Sequence, residues 1–72
     1  GISLYPNPAK DIIYINTSPK QVSIIDHLGR TVKQLNNISE HQAINISQLP
    51  NGIYAIVIET TNGIVTKKII KL

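Results

Sequence analysis

Apolar and polar residues alternate in short bursts along the chain, and no stretch of ten residues carries the 3.6-residue period of a helix. The alternation predicts seven strands, at about 2–5, 11–16, 20–26, 30–36, 42–46, 52–60 and 64–71. Asn36 to Gln42 is the least strand-like stretch. Many short strands separated by turn residues at close spacing are the signature of a sandwich or barrel. The expected fold is all-β, a seven-stranded immunoglobulin-like β-sandwich forming a single domain over residues 1–72.

The breaks between runs have physical causes. Pro6-Asn7-Pro8 contains two residues that fix φ and lack an N–H, so the first strand must stop there. Asp26-His27-Leu28-Gly29 offers a turn opener followed by a glycine able to take positive φ. Asn62-Gly63, between two apolar runs, predicts a two-residue type I′ hairpin turn.

Period-two alternation also assigns faces. Tyr54, Ile56 and Ile58 share one side of their strand, against Ala55, Val57 and Glu59 on the other. Ile13 and Ile15, Val22 and Ile24, Val32, and Ile44 and Ile46 are likewise expected to point inward. Lys67 and Lys68 fall on opposite faces of the last strand, so one of them has to run its stem past apolar neighbours. The segment Leu49-Pro50-Asn51-Gly52-Ile53-Tyr54 carries the most fold information. A leucine, a Pro/Gly turn and then a tyrosine entering a strand is the arrangement of a tyrosine corner, whose phenol packs inward and bonds backbone a few residues upstream.

Composition sharpens the picture. Of 72 residues 15 are Ile, with no Phe, Trp, Met or Cys, and a β-branched aliphatic suits a pleated surface better than a helix. A chain this short buries only about 60% of its unfolded surface, so its core must be aliphatic and economical. The lack of cysteine excludes a disulfide framework and a thiolate zinc site, and leaves the redox compartment open. The longest apolar run, Ile53 to Ile58, is too short to span a bilayer as a helix. No basic region followed by an apolar core opens the chain, so if the domain leaves the cytoplasm its signal lies upstream, on a longer protein.

Catalytic patterns are missing. Asp11, Asp26, Glu40 and Glu59 stand in different segments, and nothing pairs two of them as acid and base. His27 reads as a turn residue and His41 as a solvated loop or strand-end residue, rather than as ligands. There is no phosphate-cradling glycine loop and no HExxH. No cofactor, metal site or catalytic residue is expected. The net charge is +3, and Lys67, Lys68 and Lys71 crowd the last six positions. Nucleic-acid patches interleave cations with aromatic platforms; no tyrosine lies near these lysines in sequence, so no nucleic-acid partner is expected. The lysines read as guards of an exposed terminal strand.

Taken in order, four segments resemble a known family. Leu4-Tyr5-Pro6-Asn7-Pro8-Ala9 is similar to the opening of the C-terminal sorting domains (type A) of the type IX (Por) secretion system. The likeness continues through Val22 to Val32, resumes at Ile44 to Tyr54, and ends with Gly63 and Lys67-Lys68-Ile69-Ile70-Lys71-Leu72. One departure is Ile25, where the family often has an aromatic.

The resemblance implies a non-catalytic domain at the C-terminus of a larger secreted cargo of Gram-negative bacteria. Such a cargo crosses the inner membrane on a signal peptide, and the outer-membrane secretion machinery then recognises the domain. A sortase-like protease at the cell surface commonly removes it, leaving the cargo secreted or attached to the surface. The residues matching the sorting motifs are Pro6, Asn7, Pro8, Asp26, Gly29, Arg30, Gly52, Tyr54, Gly63, Lys67 and Lys68. Of these, Gly52, Tyr54, Gly63, Lys67 and Lys68 map to the regions most tied to export in the family. The competing readings are an accessory carbohydrate- or surface-binding module, for which Tyr5 and Tyr14 are the available aromatics, and a structural spacer.

Overall fold

The structure, a computed structural model, describes all 72 residues and contains seven strands and no helix. They are β1 (Leu4–Tyr5), β2 (Ile12–Ile15), β3 (Gln21–Ile25), β4 (Thr31–Asn36), β5 (Ile44–Asn45), β6 (Gly52–Thr60) and β7 (Gly63–Lys71). Two antiparallel sheets face each other, one ordered β1-β2-β5 and the other β4-β3-β6-β7. The chain changes sheet between β2 and β3, between β4 and β5, and between β5 and β6. This is the expected immunoglobulin-like sandwich.

The core follows from alternation. Ile13 and Ile15 from one sheet meet Val22, Ile24, Tyr54, Ile56 and Ile58 from the other, all buried, with Ile44 and Ile46 beside them. Three further core residues, Ala9, Ile38 and Ile69, come from segments whose inward position alternation did not assign. Ile38 belongs to the irregular stretch between β4 and β5. Its N–H donates to Pro19 O at 3.1 Å and that of Asn37 to Lys20 O at 2.8 Å, which pins this loop across the sandwich and drops Ile38 inward.

Val32 departs from the expectation of burial, at 39% exposed. The β3–β4 register slips between Ile24, opposite Lys33, and Ile25, opposite Thr31. Val32 is therefore the extra residue of a β-bulge, which breaks the period-two face assignment at that point. Leu35, opposite Val22, packs against the core from β4 instead.

The last hairpin also differs from its sequence reading. Thr60 pairs with Gly63, so the two-residue loop is Thr61-Asn62, one position earlier than expected. Neither loop residue takes positive φ, which a type I′ turn requires at both. Positive φ falls instead on Gly63, at 130°, a conformation a side chain would oppose. The Thr60 hydroxyl holds the turn, accepting from Asn62 N–H at 3.1 Å and donating to Gly63 O at 3.2 Å.

Candidate functional site

The residues singled out from the sequence fall mostly at one end of the sandwich, and the backbone brings them there. The first group is the turn between β3 and β4. The carboxylate of Asp26 accepts from Leu28 N–H and Arg30 N–H, each at 2.9 Å, and from the Arg30 guanidinium Nε at 2.8 Å. Asp26 N–H donates to Arg30 O and Gly29 N–H to Asp26 O, closing the loop with Gly29 at φ 81°. An aspartate, a glycine three residues on and an arginine after it are thus one self-contained turn. The Arg30 backbone N–H, first of all, holds the Asp26 carboxyl below its ordinary value of 3.8; the Arg30 side chain and Leu28 N–H add to this, and burial opposes it.

That shift has a signed consequence. A carboxyl whose pKa is depressed on folding stabilises the fold at every pH above its unfolded value, and the benefit vanishes as pH falls through the folded value. Stability should hold from neutrality down to about pH 4 and then decline. The Asp26→Asn chain should start less stable at pH 7 and show a shallower decline in acid. Urea midpoints measured from pH 7 to pH 2.5 check this; parallel curves for the two chains would contradict it.

The second group is the bend into β6. Tyr54 is 6% exposed and its hydroxyl donates to the carbonyl of Pro50, four residues upstream. This is the expected tyrosine corner, on the sixth strand of the sandwich. Gly52 opens β6 and pairs with Lys71 near the end of β7.

The third group is a clasp between the two ends of the chain. Asn7 Nδ2 donates to Lys68 O at 3.0 Å and Asn7 Oδ1 accepts from Ile70 N–H at 3.0 Å. One side-chain amide thereby takes the place of a neighbouring strand. Ala9 continues the pairing, donating to Ile70 O and accepting from Leu72 N–H, both at 2.8 Å. The resulting parallel bridge between Ala9 and Lys71 ties the N-terminal segment to the free edge of the larger sheet. Pro6 and Pro8 flank the clasping asparagine and contribute no N–H of their own.

Lys67 and Lys68 complete this end. Lys67 lies opposite Ile56 on the inner side of β7 and is half-buried, as a lysine with its stem on apolar neighbours should be. Lys68 lies opposite Ala55 on the outer side and is exposed. The contacts between basic side chains and carboxylates are Arg30–Asp26 and His41–Glu40, so neither lysine has a carboxylate partner. Lys71 behaves differently from its sequence neighbours: it is 6% exposed and its ammonium donates to Leu72 O at 2.9 Å. An open depression is lined by Asp26, His27, Tyr54, Ala55, Lys67 and Lys68 among others.

Gly63 stands apart. It sits at the opposite end of the sandwich, beside Gly1, Ile2 and Ser18. Sequence reasoning missed Ala9 and Lys71, whose places depend on pairing across more than sixty positions. The only local hint was a small residue directly after the Pro-Asn-Pro segment.

No three His, Asp or Glu side chains converge. His27 is in the turn after β3, and His41 is in the loop before β5, 6.2 Å from the ring of Tyr5. Tyr5 and Tyr14 stack on the outer side of the smaller sheet, centroids 5.5 Å apart. No curated protein matches the chain in a sequence comparison. A family model described as the secretion system C-terminal sorting domain does match, over residues 3–72. With a sandwich closed by an asparagine clasp and a tyrosine corner, and a match across nearly its whole length, the chain belongs to the C-terminal sorting domains of the type IX secretion system.

Proposed function

We propose that residues 1–72 form a single, non-catalytic address at the C-terminus of a secreted cargo, read by the type IX machinery at the outer membrane. The cargo reaches the periplasm on an upstream signal peptide and finishes outside the cell or on its surface. A sortase-like surface protease then removes the domain. The observation that carries this reading is the family match over residues 3–72.

The geometry supports a division of labour among the motif residues. Asn7, Asp26, Gly29, Arg30 and Tyr54 are engaged in backbone bonding, so their task in export is to build the shape. Pro6, Pro8, Gly52 and Gly63 set backbone direction for the same end. Lys67 and Lys68 lack an internal ion-pair partner and are the residues offered to a receptor.

The test is a fusion of the chain to the C-terminus of an inert periplasmic reporter in cells that carry the secretion machinery. The reporter is expected in the medium or on the surface, without the 72-residue tail when its mass is measured. A reporter retained in the periplasm would refute the address. Delivery of a fusion with its tail intact would refute only the proteolytic step.

A further inference from the structure

The longest regular run of unpaired backbone in the molecule lies along β7. Ladder bonds alternate in an antiparallel pair, so every second residue of an edge strand turns its N–H and C=O away from its neighbour. On β7 the outward residues are the even-numbered ones, because Lys68 O, Ile70 N–H, Ile70 O and Leu72 N–H are the groups taken by Asn7 and Ala9. The clasp stops there. The N–H and C=O of Ile64, the N–H and C=O of Thr66, and the N–H of Lys68 have no partner.

Other edges are less open. β4 carries the bulge at Val32, which leaves only Lys33 to Asn36 in regular register. The edge strands of the smaller sheet, β1 and β5, are two residues each. Along the free half of β7 stand the exposed Ile64, at 67%, and the two lysines with no ion-pair partner, Lys67 on one face and Lys68 on the other.

We propose that the Ile64–Lys68 edge of β7 is a docking site for an extended segment of a partner protein, added as an eighth strand, with consecutive carboxylates opposite Lys67 and Lys68. Strand addition takes its affinity from main-chain bonds and its specificity from alternate side chains. Lysines on an edge repel most intruding strands, including a second copy of this chain with its own +3 charge. An acidic strand turns the same lysines into attraction. Adjacent acidic positions are required because Lys67 and Lys68 face opposite sides of the sheet. Apolar β-branched residues in the guest meet Ile64 and Val65. This deepens the export reading by naming the chemistry of the machinery segment that the address accepts.

The probe is a blocked octapeptide with two central glutamates flanked by valine and threonine, added to the 15N-labelled chain. Amide exchange should slow by at least about tenfold at Ile64, Thr66 and Lys68, with no change at Gln34 or Asn36. The same peptide with lysines for glutamates should have no effect. Thr66→Pro removes an outward N–H and no bond to β6, a substitution edge strands accept; it should abolish the slowing while the β6 amides stay protected. Should that variant lose its fold, the Lys67→Glu, Lys68→Glu chain serves instead and should reverse the preference, binding only the lysine peptide.

The proposal is overturned by unchanged exchange at the three amides, by an equal response to both peptides, or by protection that grows with chain concentration alone. Binding of phosphatidylglycerol vesicles without any response to the glutamate peptide also overturns it, since the lysines would then serve a lipid surface. A wild-type fusion that is exported while the peptide fails sinks the docking edge and leaves the address standing. Retention of that fusion while the peptide binds sinks the address alone.

Discussion

Replacing Ile56 with alanine is expected to remove about 2–5 kcal/mol of the protein's stability. Ile56 is fully buried on the central strand β6, between Ile24 on β3 and Lys67 on β7. The cost combines lost transfer energy with that of the cavity left behind. A chain of 72 residues commands only about 4–11 kcal/mol in total, at 0.05–0.15 kcal/mol per residue. It has no disulfide and no cysteine with which to make one. A single methyl-rich side chain is therefore a large share of the whole. Urea unfolding followed by far-UV circular dichroism checks the cost. Val32→Thr is the control: on the bulge, outside the core, it should change stability by less than about 0.5 kcal/mol. Equal losses in the two variants would mean that the core is not where the structure places it.

Tyr54→Phe is expected to have the next largest effect for the smallest chemical change. It removes one oxygen atom and leaves the ring in place, so no cavity opens. What it loses is the bond to the Pro50 carbonyl. Pro50 is exposed, so water can take its carbonyl and the cost is that of a net hydrogen bond, about 0.5–1.5 kcal/mol. In a domain of this size each kcal/mol lowers the melting temperature by about 4–8 °C. The variant should remain folded at 25 °C, with a clearly lower Tm and the same far-UV spectrum. Because Pro50 and Gly52 sit in the bend that Tyr54 closes, the loss should appear as faster amide exchange at residues 50–54 before it appears elsewhere. A melting temperature unchanged from wild type would remove the tyrosine corner from the account.

These two residues were also the most legible in the sequence, and the reason is physical. Alternation is a local property of a strand, so β6 could be read from Gly52 to Thr60 directly, inward residues included. The tyrosine corner is equally local, spanning four positions. The turn of Asp26 to Arg30 was visible as a turn because its donors and acceptor lie within five residues. What alternation cannot carry is an inserted residue, and Val32 was misplaced for that reason. Nor can it carry a pairing between distant segments. Asn7 could be singled out from its prolines, but its partners Lys68 and Ile70 lie 61 and 63 positions away. Lys71 looked like another free cation and proved buried, because Ala9 and Leu72 close over the end of β7. The hairpin turn failed by one position: Asn-Gly suggested the loop itself, whereas Gly63 already belongs to the returning strand.

The sequence motifs thus gain a common meaning. Most of them do not reach outward; they fold one end of a small sandwich around its own backbone. At that end Lys67 and Lys68 have no carboxylate partner, and the open edge of β7 runs from them toward Ile64 at the other end. Under the proposed export role, a domain that folds on its own backbone would present the same surface behind any cargo.

Hydrogen exchange on the isolated chain, in buffer free of metal and oxidant, tests that self-sufficiency directly. One cooperative unit is expected, with the slowest amides on β3 and β6 and a slowly exchanging Tyr54 hydroxyl proton. Uniformly fast exchange, or a Tyr54 hydroxyl proton exchanging at the rate of those of Tyr5 and Tyr14, would contradict the account.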